Sequence, residues 1–553
     1  MIYPKIPLAQ SIIELCLAKG VTQIIISPGS RNAPLTIGFV NNPNFTCYSI
    51  ADERCAAFFA LGIAQQTKKV VAVVCTSGSA LLNYYPAVSE AFYSQIPLLV
   101  IAADRPQSKI DIGDGQTIRQ ENVFANHSLY NANLTEEASI ENDLKINDAI
   151  DTAIYQKGPV HINAPFEEPL YETVSDLSVE VNVSAFAKAP QLISISELES
   201  QAAIWNTATK KLVLVGVNDP DSIDKEVIEY LATDPSVVVM TETTSNLHHP
   251  SFISNIDTII TPFSSEEFED FQPEILITFG GLIVSKRIKA FLRKYQPKHH
   301  WHVDSIRAYD TFGVLSHHFK QEPNSFFKNF MPLTQKVVSN YFEKMNKVAL
   351  LRNQKTVDYL NKIPFSDFVV FEKVIKQLPK SSQLQISNSS AIRYAQLIKT
   401  DSSIEVFCNR GTSGIDGSTS TAIGAAVAHK KQTTLITGDI SFFYDSNALW
   451  NSYIPNDFKI IIINNAGGGI FRILPGHQET PVFNTFFETS HQMTAEHLAK
   501  MFGFEYTVAT NLETLEASLP VFFQSNEKPA ILEIFTPTLI NDKILLQFFK
   551  ELV

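Results

Sequence analysis

The feature that most constrains this chain is an alternation kept up along nearly its whole length. Short, β-rich apolar runs bounded by Gly, Pro, Asn and Ser are followed by longer stretches of helical period. That rhythm builds βαβ units, and βαβ units build parallel sheets covered by helices on both faces. The candidate strands fall into three sets. The first is Thr22 to Ile26, Cys47 to Ile50, Val70 to Cys75, Pro97 to Ala102 and Val160 to Asn163; the second is Leu212 to Val217, Ser236 to Met240, Ile275 to Phe279 and Trp301 to Val303. The third is Gln383 to Ser387, Val406 to Cys408, Thr433 to Thr437, Lys459 to Ile463 and Ile531 to Phe535. The fold class read from this is α/β, with three doubly wound, mostly parallel-sheet domains at residues 1–175, 190–340 and 355–553. The stretches Glu168 to Ser194 and Asn340 to Thr356, low in apolar residues, are the expected linkers. Lys157 to Pro165 and Lys528 to Pro537 resemble one another, each an apolar run with a Pro on either side, so each is expected to be the last strand of a sheet.

Charge and cysteine usage narrow the function classes. Lys and Arg number 44 against 57 Asp and Glu, a formal charge of −13, which disfavours nucleic acid and anionic membranes as partners. The cysteines Cys16, Cys47, Cys55, Cys75 and Cys408 include no CxxC pair, so neither a zinc site nor a disulfide framework is expected, and a reducing cytoplasm fits best. Leu8 to Lys19 reads as a helix with Pro7 at its start and Gly20 past its end, not as a signal peptide. The longest uncharged runs, Asn32 to Ala51 and Val70 to Ser89, are interrupted by Pro, Gly, Asn and Ser, and no stable membrane insertion is expected. None of the histidines has a spacing that points to a metal.

The strongest local signal is Gly438-Asp439 directly after a strand, with Asn465 following 26 residues after Asp439 in Asn464-Asn465-Ala466-Gly467. One βαβ unit would set Asp439 and Asn465 at adjacent carboxyl ends of a parallel sheet, the edge where open α/β sheets bind ligands. A carboxylate, an amide oxygen and a Gly-rich backbone carbonyl make a sparse oxygen cage suited to Mg²⁺. Gly411 and Gly414 supply backbone that could approach a diphosphate closely. Read alone, Asp439 is more readily a helix cap and Asn464-Asn465 a turn. Glu53, at a strand's end before an apolar helix, is equally ordinary compensation of the helix dipole.

Taken together, Glu53, the run Thr76-Ser77-Gly78-Ser79-Ala80 with Asn83 and Pro86, and the Asp439 to Asn465 pair resemble thiamine diphosphate-dependent enzymes of the pyruvate decarboxylase and acetolactate synthase type. The resemblance spans nearly the whole chain. It implies thiamine diphosphate with Mg²⁺ (or Mn²⁺) as cofactors, and a homodimer or homotetramer with sites between subunits. Asp439, the Asn465 side chain and the Gly467 carbonyl would ligate the metal. Glu53 would hydrogen-bond the aminopyrimidine and promote the tautomer that deprotonates the thiazolium carbon. Ile415 would be the apolar wedge that bends the cofactor, and Ser77, Gly78, Asn83, Gly411, Gly438, Ser441, Ile470 and Phe471 would line it. One departure is visible: Ile440 follows Asp439 where many relatives carry a small residue.

A finer pattern resembles one branch of that family, the branch that serves menaquinone biosynthesis. Its motifs are Ser27-Pro28-Gly29-Ser30-Arg31, Ala103-Asp104-Arg105-Pro106, Gly115-Gln116-Thr117, Ser285-Lys286-Arg287, Asn388-Ser389 with Arg393, and Asn409 to Gly417. The branch implies decarboxylation of 2-oxoglutarate and addition of the resulting succinyl-semialdehyde carbanion equivalent to isochorismate. Ser389, Arg393 and Arg410 would hold the part derived from 2-oxoglutarate; Ser30, Arg31, Arg105, Gln116, Lys286 and Arg287 would meet isochorismate. Both substrates are dianions, and guanidinium groups grip carboxylates in bidentate fashion. The rival readings are a relative acting on another 2-oxo acid, as a decarboxylase or acetolactate synthase does, and, in a different class, a nucleotide-binding flavoprotein.

Overall fold

The computed structural model describes residues 2–185, 194–473, 476, 478–524 and 527–553. Residues 186–193 of the first expected linker lie outside the described residues. A short antiparallel ribbon, β1 (Tyr3–Pro4) with β8 (Thr173–Val174), ties the two ends of the first unit together. That unit is a parallel sheet of β2 (Gln23–Ile26), β3 (Thr46–Ser49), β4 (Val71–Cys75), β5 (Leu98–Asp104), β6 (Asn131–Asn133) and β7 (Val160–Pro165), in the order β3-β2-β4-β5-β7-β6. The central sheet contains β9 (Lys211–Val215), β10 (Val237–Thr241), β11 (Ile275–Phe279), β12 (His299–Val303) and β13 (Leu315–Phe319), in the order β10-β9-β11-β12-β13. The last comprises β14 (Gln383–Ile386), β15 (Glu405–Phe407), β16 (Thr433–Gly438), β17 (Lys459–Asn464), β18 (Glu505–Ala509) and β19 (Ala530–Phe535), in the order β15-β14-β16-β17-β19-β18. The first and last sheets therefore share one topology.

Successive residues of a strand face opposite sides, so a strand covered by helices on both faces must be apolar at every position. In β4, Val71, Val73 and Cys75 join one core and Ala72 and Val74 another. The core containing Val71 runs on without a break into Leu435, Ile460 and Ile462 of the last sheet. Its centre is the contact between helix Glu53–Thr67 and helix Ser418–Ala428. A Cβ on Gly62 would land on the Thr421 carbonyl oxygen, and one on Gly424 on the Phe59 carbonyl oxygen, so only glycine allows these helices to approach so closely.

Besides β1 and β8 of the short ribbon, three described strands have no counterpart in the sequence reading: β6, β13 and β18. Each is an edge strand of its sheet. An edge strand need not be apolar on both faces, and Asn131-Ala132-Asn133 and Leu315-Ser316-His317-His318-Phe319 show no continuous apolar run. The two Pro-flanked segments are β7 and β19, last in sequence within their sheets but one strand in from an edge in space. The stretch 340–356, expected as a linker, is part of helix Tyr341–Leu360, which buries Tyr341, Met345 and Ala349 against the central core. Three apolar contacts at helical spacing suffice to dock it, too few to lift its mean apolarity. All five cysteines are free thiols. Among the described residues no helix is long and apolar enough to cross a membrane.

Candidate active site

In the last sheet β16 ends on Gly438 and helix Asp439–Tyr444 starts at once, while the pairing of Gly438 with Ile463 brings the end of β17 alongside. Asp439 is 2% exposed. Its Oδ1 accepts the Ile440 amide (2.7 Å), its Oδ2 accepts the Gly467 amide (3.0 Å), and His491 Nε2 lies 3.3 Å from Oδ2. The Asn465 amide nitrogen donates to Asp367 Oδ2 (2.9 Å), and its oxygen has no hydrogen bond among the described residues. Asp367 is itself held by Thr536 Oγ1 (2.6 Å). Burial pushes the Asp367 carboxyl up to about 6; the bonds from Thr536 and Asn465 oppose that rise and the neighbouring Asp439 charge adds to it.

Gly467 takes a φ of 153° and its carbonyl accepts the Gly469 amide (3.0 Å). Beside it, no heavy atom lies within 4 Å of where a Cβ on Gly438 would sit, so the corner next to Asp439 is open. Ser441 Oγ donates to the Ile415 carbonyl (2.7 Å) and ties the loop before helix Ser418–Ala428 to the same corner. Among the described residues no three His, Cys, Asp or Glu side chains converge as a metal cluster. The donors here are one carboxylate, one amide oxygen and one carbonyl, a set that fits a hard cation sharing its coordination with a phosphate group and water.

A cation cluster borders this corner. Asn388 Nδ2 donates to the carbonyls of Asn409 and Gly414 (2.7 Å each), and its Oδ1 accepts Arg410 Nη1 (2.6 Å), so one side chain shapes the loop and aims the guanidinium. Burial, and then the charge of Arg410, hold Arg393 below the usual guanidinium range, with Asp257 opposing. Asp257 accepts Ser285 Oγ; burial raises its pKa while Arg287 and Arg393 draw it down. Helix Lys286–Lys294 thus opens with two basic residues, the unfavourable sense for its dipole. Asp257 and Glu242 compensate, Glu242 accepting the amides of Val284 and Ser285 (2.7 Å each). Lys286 and Arg287 are exposed. Arg393 lines one small cavity with Asp367, Gly469 and Ile470, which joins the cluster to the Asp439 corner. Ser389, at a φ of 67°, precedes helix Ser390–Ala395, which carries Arg393. The Phe471 ring lies 6.2 Å from that of Phe487.

The first sheet carries the other predicted residues at its own carboxyl edge. Glu53 opens helix Glu53–Thr67 behind the cap residue Asp52, and adds to the burial that raises Cys75 and Tyr84, which places it over the end of β4. Ser77 is 3% exposed and its buried Oγ has no partner among the described residues. Gly78 takes a φ of 90°, donates its amide to Gln120 Oε1 (2.8 Å), and leaves just enough room for the Gln116 backbone. Arg31 is buried, its guanidinium donating to the Phe166 carbonyl (2.9 Å) and Glu168 (3.1 Å). Arg105 Nη1 lies 3.6 Å from Asp114. Ser30 and Asn83 are exposed.

Among the described residues no hydrogen bond or ion pair joins this set to the Asp439 set within the chain. The sheets are linked beside them: Asn447 donates to Asp52 (2.8 Å) and Arg54 to the Tyr444 carbonyl (2.8 Å). Gly411, read from sequence as backbone free to meet a diphosphate, instead donates its amide to Glu90 (2.7 Å), as does Thr412 (2.7 Å). Sequence reasoning missed Glu90, Glu242, Asp257, Asp367 and His491. Each acts by holding a residue that the motifs did include, and none has a local signature of its own.

Three family models match the chain in order. The N-terminal TPP binding domain of thiamine pyrophosphate enzymes matches residues 6–127, the middle domain of thiamine pyrophosphate enzymes 188–386, and the C-terminal TPP binding domain 389–534. Among curated relatives, a Flavobacterium johnsoniae protein named 2-succinyl-5-enolpyruvyl-6-hydroxy-3-cyclohexene-1-carboxylate synthase is 71% identical over 100% of both chains. Proteins of the same name from Flavobacterium psychrophilum and Christiangramia forsetii are 66% and 51% identical, covering 100% of this chain and 100% and 99% of the relatives.

Proposed function

Since the chain belongs to the thiamine pyrophosphate enzymes, and within them to the 2-succinyl-5-enolpyruvyl-6-hydroxy-3-cyclohexene-1-carboxylate synthase family, we propose that it joins 2-oxoglutarate to isochorismate with release of CO₂. The observation that carries this reading is the cation cluster in which Arg287 and Arg393 face Asp257 and Arg410 stands next to Arg393, beside the Asp439 corner. A monocarboxylate such as pyruvate needs fewer cations than a pair of dianions.

Thiamine diphosphate, when bound, supplies the carbon nucleophile and the electron sink that loss of CO₂ from a 2-oxo acid requires. Asp439, the Asn465 oxygen and the Gly467 carbonyl would hold Mg²⁺, which would neutralise the charge of the diphosphate. The open space at Gly438, and Ser441 bound to Ile415, support that assignment. Ile415 wedges the cofactor, with Gly411, Ile470 and Phe471 nearby. Glu53 holds and moves a proton at the aminopyrimidine, with Ser77, Gly78 and Asn83 around it. Ser389, Arg393 and Arg410 orient the carboxylates of 2-oxoglutarate. Ser30, Arg31, Arg105, Gln116, Lys286 and Arg287 receive isochorismate, Arg31 and Arg105 by exchanging their Glu168 and Asp114 contacts for substrate carboxylate. The lack, among the described residues, of any hydrogen bond or ion pair between the Glu53 and Asp439 sets within one chain supports a homodimer or homotetramer in which each site takes its first-sheet wall from a partner subunit. Domain limits of 1–175, 190–340 and 355–553 and a cytoplasmic location complete the reading.

The test is a two-substrate assay. Purified protein with thiamine diphosphate and Mg²⁺ should consume isochorismate only when 2-oxoglutarate is present. Equal turnover with pyruvate would overturn the assignment.

A further inference from the structure

One cavity opens away from the Asp439 corner and shares Glu242 with the site above. It has a volume of about 810 Å³, within the range of small-molecule sites, and lies where the loop after β10 faces the helices of the last sheet. Its floor is apolar, with Leu247, Phe252, Leu378 and Ile398. Lys380 and Lys399 stand at its rim, and neither makes an ion pair or hydrogen bond among the described residues. Thr400, also in the lining, has a buried hydroxyl without a partner among the described residues. Two acids share the lining: Glu242, whose carboxylate accepts the Val284 and Ser285 amides, and Asp401, which accepts the Ser403 amide (2.9 Å) and hydroxyl (2.7 Å). His248 completes the rim; burial and the nearby Lys399 charge hold its pKa down, with Asp401 and Asp221 opposing.

We infer that this cavity binds an amphipathic anion, an apolar body carrying one carboxylate, sulfonate or phosphate, held by Lys380, Lys399 and the Thr400 hydroxyl. The wall it would press on reaches the catalytic cations. Glu242 lines the cavity and caps the Val284 and Ser285 amides ahead of Lys286 and Arg287. Thr243, also in the wall, accepts support from the helix end that follows Arg393: its amide donates to Gln396 (2.9 Å) and its hydroxyl to the Ala395 carbonyl (3.3 Å). Occupancy therefore changes the affinity for 2-oxoglutarate. This second half rests on the substrate roles given above to Arg393 and Arg410, whereas binding itself does not.

The experiment is a fluorescence titration of the enzyme loaded with thiamine diphosphate and Mg²⁺. The probes are 8-anilinonaphthalene-1-sulfonate and its uncharged counterpart N-phenyl-1-naphthylamine. Lys380→Glu and Lys399→Glu should each weaken the sulfonate about fivefold or more, leave the neutral probe unchanged, and keep probe-free turnover at the wild-type level. Sulfonate affinity unchanged from the wild type in both variants overturns the site. Coupling is reciprocal, so 2-oxoglutarate should shift the sulfonate Kd by a limited factor, and saturating sulfonate should shift the KM for 2-oxoglutarate by that same factor. A Kd that grows without limit as 2-oxoglutarate is added places the probe in the substrate site and overturns the inference. A KM that does not move overturns the coupling while leaving the binding result to stand.

Discussion

Glu90→Gln tests how the Arg410 loop is held. Glu90 is 1% exposed on helix Tyr85–Ser94 of the first sheet. Its Oε1 accepts the Gly411 amide and Ser94 Oγ (2.7 Å each), and its Oε2 accepts the Thr412 amide (2.7 Å) and hydroxyl (3.0 Å). Glutamine keeps the volume but replaces one acceptor oxygen with NH₂. Whichever way the amide turns, one backbone N–H then faces another donor. A lost bond to a charged group is worth about 1.5–3 kcal/mol, and stranding its buried partner adds to that, so a total of roughly 2–4 kcal/mol is expected. The loss can appear globally or as loosening of the loop next to Arg410. We expect a lower Tm and a KM for 2-oxoglutarate raised at least about tenfold, tenfold being about 1.4 kcal/mol, with little change in the KM for isochorismate. Ser94→Ala removes one hydroxyl donor to the carboxylate but keeps both oxygens for the loop amides, so it should lower the Tm by less and leave the KM for 2-oxoglutarate nearly unchanged. If Glu90→Gln melts and turns over like the wild type, the bonds to Gly411 and Thr412 do not hold the loop.

Glu53→Gln should nearly abolish turnover while leaving thiamine diphosphate binding, followed by calorimetry, close to normal; retained activity contradicts the proton-transfer role. Gly424→Val places a side chain on the Phe59 carbonyl and must push two helices apart, so a loss of about 1–3 kcal/mol or more is expected in chemical denaturation. An unchanged midpoint would mean that the contact yields freely. Burial raises Glu242 from its ordinary 4.5 to about 7, with Asp257 adding to the rise and the Val284 and Ser285 amides and Arg410 opposing it. The folded state therefore binds that proton more tightly than the unfolded chain does. The stabilisation is complete below pH 4.5 and is lost as pH rises toward 7, by up to ~3 kcal/mol. Glu242→Gln should flatten that slope in denaturation curves between those pH values; a slope unchanged in the variant would assign it to other groups.

The sequence by itself determined the three-sheet architecture, because a strand covered on both faces must be apolar at consecutive positions and that demand is written locally. It also determined that Asp439 and Asn465 share an edge, since one crossover between parallel neighbours fixes that distance. Edge strands such as β6, β13 and β18 escaped because they answer to solvent on one side and carry no such demand. The formal charge of −13 spoke for the outer surface, and the structure alone shows Arg287 and Arg393 facing Asp257 with Arg410 next to Arg393. The partners that hold the site were decided by tertiary structure: Glu90 meets Gly411 across 321 residues, and Asp367 meets Asn465 across 98. A buried polar group must find a complement, but which group supplies it depends on how the sheets dock. That docking was settled by the glycine contact between two helices, whose steric condition no residue pattern along the chain expresses.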